Sequence, residues 1–195
     1  TWEWDGDIWT ERTPLGSGPS ARSGHAMAHD TTRGVTVLFG GEAFGFLQDT
    51  WEWDGETWSE RTPSGPVPSV RSRHAMAYDT ARGVTVLFGG ISDGDPQDTW
   101  EWDGEIWTER VPAGPVPAAR SGHAMTYDPA RSVIVLFGGN HGGDRLQDTW
   151  EWDGETWTER EPDSPLPPAR LYHSMVHDTA RGVTVLFGGS NTDEA

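Results

Sequence analysis

Polar and apolar residues alternate through Thr149-Trp150-Glu151-Trp152, and strand-favouring residues resume beyond Asp153-Gly154 in Glu155-Thr156-Trp157-Thr158. A period of two marks a half-buried strand, and Asp-Gly between two such runs is a strong hairpin signal. With Asp153 and Gly154 as a two-residue type I′ loop, Trp152 faces Glu155, Glu151 faces Thr156 and Trp150 faces Trp157. Trp150 and Trp152 lie two residues apart and share one face, which Trp157 joins. A lone hairpin is marginal in water, so these indoles predict cover from elsewhere in the chain.

A different pattern fills Val84-Thr85-Val86-Leu87-Phe88, a nearly continuous apolar run rich in β-branched residues. Such a run predicts a strand covered on both faces. Before it lie a short predicted strand, His74–Tyr78, and a turn over Asp79–Gly83, where Gly83 supplies positive φ. Earlier still, Arg61–Ser69 holds Pro63, Pro66 and Pro68 and reads as a crossing loop. Gly89-Gly90 ends the apolar strand, and a loop leads to the next hairpin. No segment carries helical periodicity of useful length.

This unit occurs four times. Thr-Trp-Glu-Trp-Asp-Gly begins at Thr1, Thr50, Thr99 and Thr149, and Val-Leu-Phe-Gly-Gly recurs at Val37–Gly41, Val86–Gly90, Val135–Gly139 and Val185–Gly189. Arg-x-x-His recurs at Arg22/His25, Arg71/His74, Arg120/His123 and Arg170/His173. Four short strands in a unit of about 40–50 residues is the period of a propeller blade.

Arg-x-x-His, an apolar strand ending in Gly-Gly, an aromatic-bearing strand and a Trp in a fourth strand together resemble the kelch repeat. The resemblance covers essentially the whole chain and implies an all-β, kelch-type propeller with four four-stranded blades, over repeats 1–49, 50–98, 99–148 and 149–195 of a single domain. It also implies rings that usually hold more than four blades. The chain starts out of phase, with the hairpin strands c and d at 1–12, and ends after strands a and b at 170–189. The N-terminal hairpin is therefore expected to close the last blade and remove an exposed sheet edge. Closure within one chain carries no concentration cost and favours a four-bladed monomer. The same pairing between two chains gives an eight-bladed homodimer.

Composition sharpens this picture in three places. Twelve Trp offset an aliphatic content too low for an ordinary core, while 25 Gly and 14 Pro fit many turns. All 14 basic residues are Arg, the side chain suited to bidentate carboxylate pairs, and twelve of them sit at repeat positions. A formal charge of −17 argues against nucleic acid and anionic membranes as partners. No apolar window is long enough to span a bilayer, and with no Cys there are neither disulfides nor thiolate metal sites.

Two rings of residues are candidates for ligand binding. Arg22, Arg71, Arg120 and Arg170 each precede an innermost strand, and four guanidiniums converging on one mouth would grip an anion or carboxylate. Family resemblance implies that arginines at such a mouth hold acidic partner motifs. The alternative is that each pairs with an acid of its own or a neighbouring blade. His25, His74, His123 and His173 could likewise line the channel or hold loops by hydrogen bonds to backbone. Asp30/Arg33, Asp79/Arg82, Asp128/Arg131 and Asp178/Arg181 read as turn-stabilising pairs. The loop Ser92–Asp98 alternates carboxylates but lacks the Glu of an EF-hand, so no metal is assigned.

No catalytic constellation and no cofactor are expected. The expected function is a non-catalytic binding or scaffolding propeller whose protein or carbohydrate ligand sits at one mouth. Its contacts would come from the loops that vary most, Glu42–Gln48, Ile91–Gln97 and Asn140–Gln147, with the crossing loops Leu15–Ser20 and Asp163–Pro168. The alternatives are a sugar-binding or sugar-modifying propeller, and a chain assembled from repeats without a specific ligand.

Overall fold

The Asp-Gly hairpins form, but with a longer loop than the two-residue turn. In the computed structural model, which describes residues 1–13, 16–161, 163 and 165–191, Trp152 pairs with Trp157, Glu151 with Thr158 and Trp150 with Glu159. The register expected from a two-residue loop is therefore wrong by two residues. The cause is the Asp side chain. Asp153 Oδ1 accepts from the amides of Glu155 and Thr156, at 2.8 and 2.7 Å, which holds a four-residue loop. Asp5, Asp54 and Asp103 do the same. The shared face of Trp150, Trp152 and Trp157 survives the shift, because the strand period is two.

Sixteen strands follow in order among the described residues: β1 (Trp2–Trp4), β2 (Trp9–Glu11), β3 (Ala26–Asp30), β4 (Val35–Glu42), β5 (Phe46–Trp53), β6 (Trp58–Arg61), β7 (Ala75–Asp79), β8 (Val84–Phe88), β9 (Thr99–Trp102), β10 (Trp107–Arg110), β11 (Ala124–Asp128), β12 (Val133–His141), β13 (Asp144–Trp152), β14 (Trp157–Arg160), β15 (Leu171–Asp178) and β16 (Val183–Ser190). No helix occurs among these residues. Three antiparallel four-stranded sheets form, β3-β4-β5-β6, β7-β8-β9-β10 and β11-β12-β13-β14, flanked by the two-stranded sheets β1-β2 and β15-β16. The innermost strands β3, β7, β11 and β15 contact one another in that order. This is the all-β, kelch-type arrangement of repeated sheets.

The expected closure is not met: β1-β2 and β15-β16 remain separate sheets. Near-identical repeats impose the same rotation at every step. Four blades close a ring only if that rotation is about 90°, the low-number end of propeller rings. Three such steps leave β16 unpaired with β1.

Successive sheets are joined by a core in which the hairpin of one sheet covers the inner strands of the one before. Phe39 of β4 meets Trp107 of β10 edge-on at 5.1 Å, and Phe88 of β8 meets Trp157 of β14 at 5.2 Å. Indole N–H groups add hydrogen bonds across the same gap. Trp102 donates to Glu52 and Trp107 to Thr50, both at 2.9 Å. The Gly-Gly that ends strand b serves this junction. Gly90 N–H donates to the Arg120 carbonyl at 2.8 Å, and a Cβ on Gly89 would lie 2.6 Å from that oxygen. Only glycine lets the two backbones approach so closely.

Candidate functional site

The three arginines at the repeat positions before β3, β7 and β11 turn inward. Arg71 is fully buried and forks onto Asp98 with two bonds of 2.7 Å, while its Nη1 also donates to the Gly89 carbonyl at 3.0 Å. Arg120 makes the same bonds to Asp148 and Gly138, and Arg22 to Asp49 and Gly40. Burial pushes the carboxyls of Asp49, Asp98 and Asp148 up, but the facing guanidinium and an indole N–H outweigh it and hold them below the usual range. Arg170 makes only backbone hydrogen bonds, to Pro168 and Gly188, and has no carboxylate partner among the described residues.

The four histidines, by contrast, converge. Their β-strands start at one end of the inner layer, and His25, His74, His123 and His173 line a cavity of about 510 Å³ there, with Arg73 and Tyr172 at its edge. His74, His123 and His173 are buried, and neither nitrogen of any of them has a hydrogen-bond partner among the described residues. The carbonyls of Phe39, Phe88 and Phe137 favour the protonated rings, but outside hydrogen-bond geometry. Burial and the neighbouring Arg71 lower the His74 pKa to about 3, and burial with Arg120 and neighbouring histidines places His123 well below its ordinary value. His25 and His173 are lowered by burial and by Arg22 and Arg170 respectively. The rings are thus neutral, each with one donor and one acceptor nitrogen. No group of three or more His, Asp or Glu among the described residues is placed to hold a metal.

The residue before each of these histidines breaks the repeat. It is Gly24, Arg73, Gly122 and Tyr172, with φ of 62°, 57°, 66° and 58°. Arg73 and Tyr172 therefore accept a left-handed backbone that costs a side-chain-bearing residue about 1–2 kcal/mol. The two meet across the cavity mouth, with the Arg73 guanidinium 5.5 Å from the Tyr172 ring centre. Arg73 makes no ion pair among the described residues. The sequence held a signal for it, since only Arg73 and Arg145 stand outside the twelve repeat arginines.

The other candidates fall elsewhere. Each turn Asp pairs with its Arg at 2.6–2.8 Å, and Arg33, Arg82 and Arg131 reach on to the buried Glu52, Glu101 and Glu151. A second cavity, of about 530 Å³, opens at the opposite end of the inner strands between Met27, Met76, Met125 and the turns that follow. The variable loops Glu42–Gln48, Ile91–Gln97 and Asn140–Gln147 line no part of the histidine mouth. Leu15 and Ser164 of the crossing loops lie outside the described residues.

No curated protein matches the chain. The model of the KLHDC2/KLHL20/DRC7 Kelch-repeats domain matches residues 98–195, half of the sequence. With the fourfold motif, the repeated sheets and this match in hand, the chain belongs to the KLHDC2/KLHL20/DRC7 kelch-repeat family.

Proposed function

We propose that the chain is a non-catalytic binding module that takes an acidic segment of a partner protein at the histidine mouth. The observation that carries this is Arg73, an exposed guanidinium with no carboxylate among the described residues, held on a strained backbone beside Tyr172 at a mouth lined by buried imidazoles without partners among those residues. Backbone strain persists where the surroundings over-determine it, and it clusters at ligand clamps. A carboxylate on Arg73 gains charge-assisted hydrogen bonds, while Tyr172 offers an aromatic face and His25 its Nε2. Arg22, Arg71 and Arg120 hold their loops in this reading, because Asp49, Asp98 and Asp148 already occupy their forks.

The test is calorimetry with peptides carrying Asp or Glu, at low and high salt, on the whole chain and on Arg73→Ala. Acidic peptides are expected to bind, more weakly at high salt because exposed charges are screened over about 8–10 Å. Arg73→Ala should weaken them by about tenfold or more, the worth of a hydrogen bond to a charged group. Binding that ignores both salt and Arg73→Ala overturns the reading, as does preference for neutral oligosaccharides.

A further inference from the structure

The two ends of the molecule carry the two halves of one interface. At the N-terminal end, the β1-β2 hairpin packs on the β3–β6 sheet as every hairpin packs on its successor. Trp53 donates to Glu3 at 2.9 Å and Trp58 to Thr1 at 2.7 Å. Inside the molecule, the space between a hairpin and the next sheet is filled by strands a and b. Phe39, for example, reaches both His74 and Trp107. Ahead of β3 that space is empty. It is a slot of about 400 Å³ lined by Glu3, His25, Met27, Leu38, Trp53 and Trp58.

At the C-terminal end, β15-β16 is such a pair of strands without a hairpin. Phe187 stands where Phe39 and Phe88 stand in their sheets, yet it is 83% exposed while they are fully buried. Val185 is exposed beside it. Among the described residues Arg181 bonds only Asp178, whereas Arg33 and Arg82 each also reach the Glu of their own hairpin. Trp4 and Trp9 are 51% and 63% exposed, against 1% and 2% for Trp102 and Trp107 at the same places in a complete sheet.

We propose that these ends bind each other between two copies of the chain, each copy's β1 pairing with β16 of the other. The internal sheets dictate the register. Because Val37 pairs with Glu52, Leu38 with Trp51 and Phe39 with Thr50, Val185 pairs with Glu3, Leu186 with Trp2 and Phe187 with Thr1 of the second copy. Each of these groups then finds a partner. Arg181 reaches Glu3, Phe187 enters the slot between His25 and Trp58, and Trp4 and Trp9 donate to Glu151 and Thr149. The occupant is a second copy because the edges match residue by residue, while within one copy β1 and β16 do not pair. Three whole sheets from each copy and two shared ones make eight, within the range of propeller rings. This head-to-tail contact closes after two copies rather than running on as a fibre.

The experiment is sedimentation of the unaltered chain across a concentration series, together with a cysteine pair in this Cys-free sequence. The expected mass is twice 21.4 kDa. Leu186→Cys with Trp2→Cys should form a disulfide between two chains under oxidation, since facing residues on paired strands bring their Cβ atoms within bridging range. Phe187→Asp, which lies on an exposed position and leaves the single copy folded, should weaken association by at least about a hundredfold, the effect of losing a buried aromatic anchor. A single-chain mass at every concentration, a disulfide within one chain, or open-ended larger assemblies each overturn the proposal.

Discussion

The indole N–H of Trp107 lies 2.9 Å from the hydroxyl of Thr50, a residue of the preceding sheet. Trp157 and Thr99 repeat the contact at the same distance. The last tryptophan of each of these hairpins thus binds the sheet before its own, so neighbouring sheets stand or fall together.

Trp107→Ala should therefore destabilise the chain by about 3–5 kcal/mol, the range for a deleted buried aromatic. The ring is 2% exposed and gives up Phe39, Trp102 and the Thr50 bond together. Phe44→Ala, at a fully exposed residue, should change stability by less than about 0.5 kcal/mol. Urea unfolding of both variants in dilute solution gives the comparison.

The buried carboxylates hold another junction. Glu101 is 2% exposed, lies between Arg82 and Arg110, and accepts the N–H of Trp152 from the following sheet. Glu101→Gln removes the charge and leaves two guanidiniums facing a neutral amide. A loss of about 3–5 kcal/mol is expected, as for breaking a buried ion pair. Chemical denaturation measures it, and a loss within the surface range would mean that the arginines swing out to water.

Stability should fall on acidification earlier than carboxylates alone require. The folded-state pKa of His74 is near 3, below the unfolded value of 6.5, and those of His25, His123 and His173 are also lowered. Between about pH 6.5 and 3 the unfolded chain thus binds more protons, and stability falls as pH falls through that window. The paired Asp49, Asp98 and Asp148 add their own loss at lower pH, because their folded values are depressed. His74→Gln should flatten the slope between pH 6.5 and 4 in melting experiments. An unchanged slope would assign the early loss to other groups.

Two strained positions make a paired test. Ser132 has a φ of 55° where the other a–b turns carry Gly34, Gly83 and Gly182, and Arg73 has a φ of 57° where two repeats carry Gly. Ser132→Gly and Arg73→Gly should each stabilise the chain by up to about 1 kcal/mol, the cost of a left-handed side-chain-bearing residue less the added entropy of glycine. Only Arg73→Gly should also weaken acidic peptides in calorimetry. Thermal melts decide the first effect, and a drop in melting temperature for Ser132→Gly would mean that its side chain offsets the strain.

Much of this protein follows from local pattern. The fourfold motif, the strand sites around Val84–Phe88 and the Trp face of each hairpin are properties of a few adjacent residues, and period-two alternation or turn chemistry reports them directly. The loop length of the hairpins escaped, because Asp-Gly signals a turn without saying how many amides the Asp carboxylate will cap. Convergence needed the tertiary structure. Arg71 and His74 are three residues apart, and nothing local says that one points into Asp98 and the other into a shared cavity. Whether β1 meets β16 depends on the rotation between sheets summed over three steps. That rotation arises from side chains packing across each gap, Phe39 on Trp107 and Phe88 on Trp157, which are far apart in the chain and touch only once the sheets are in place.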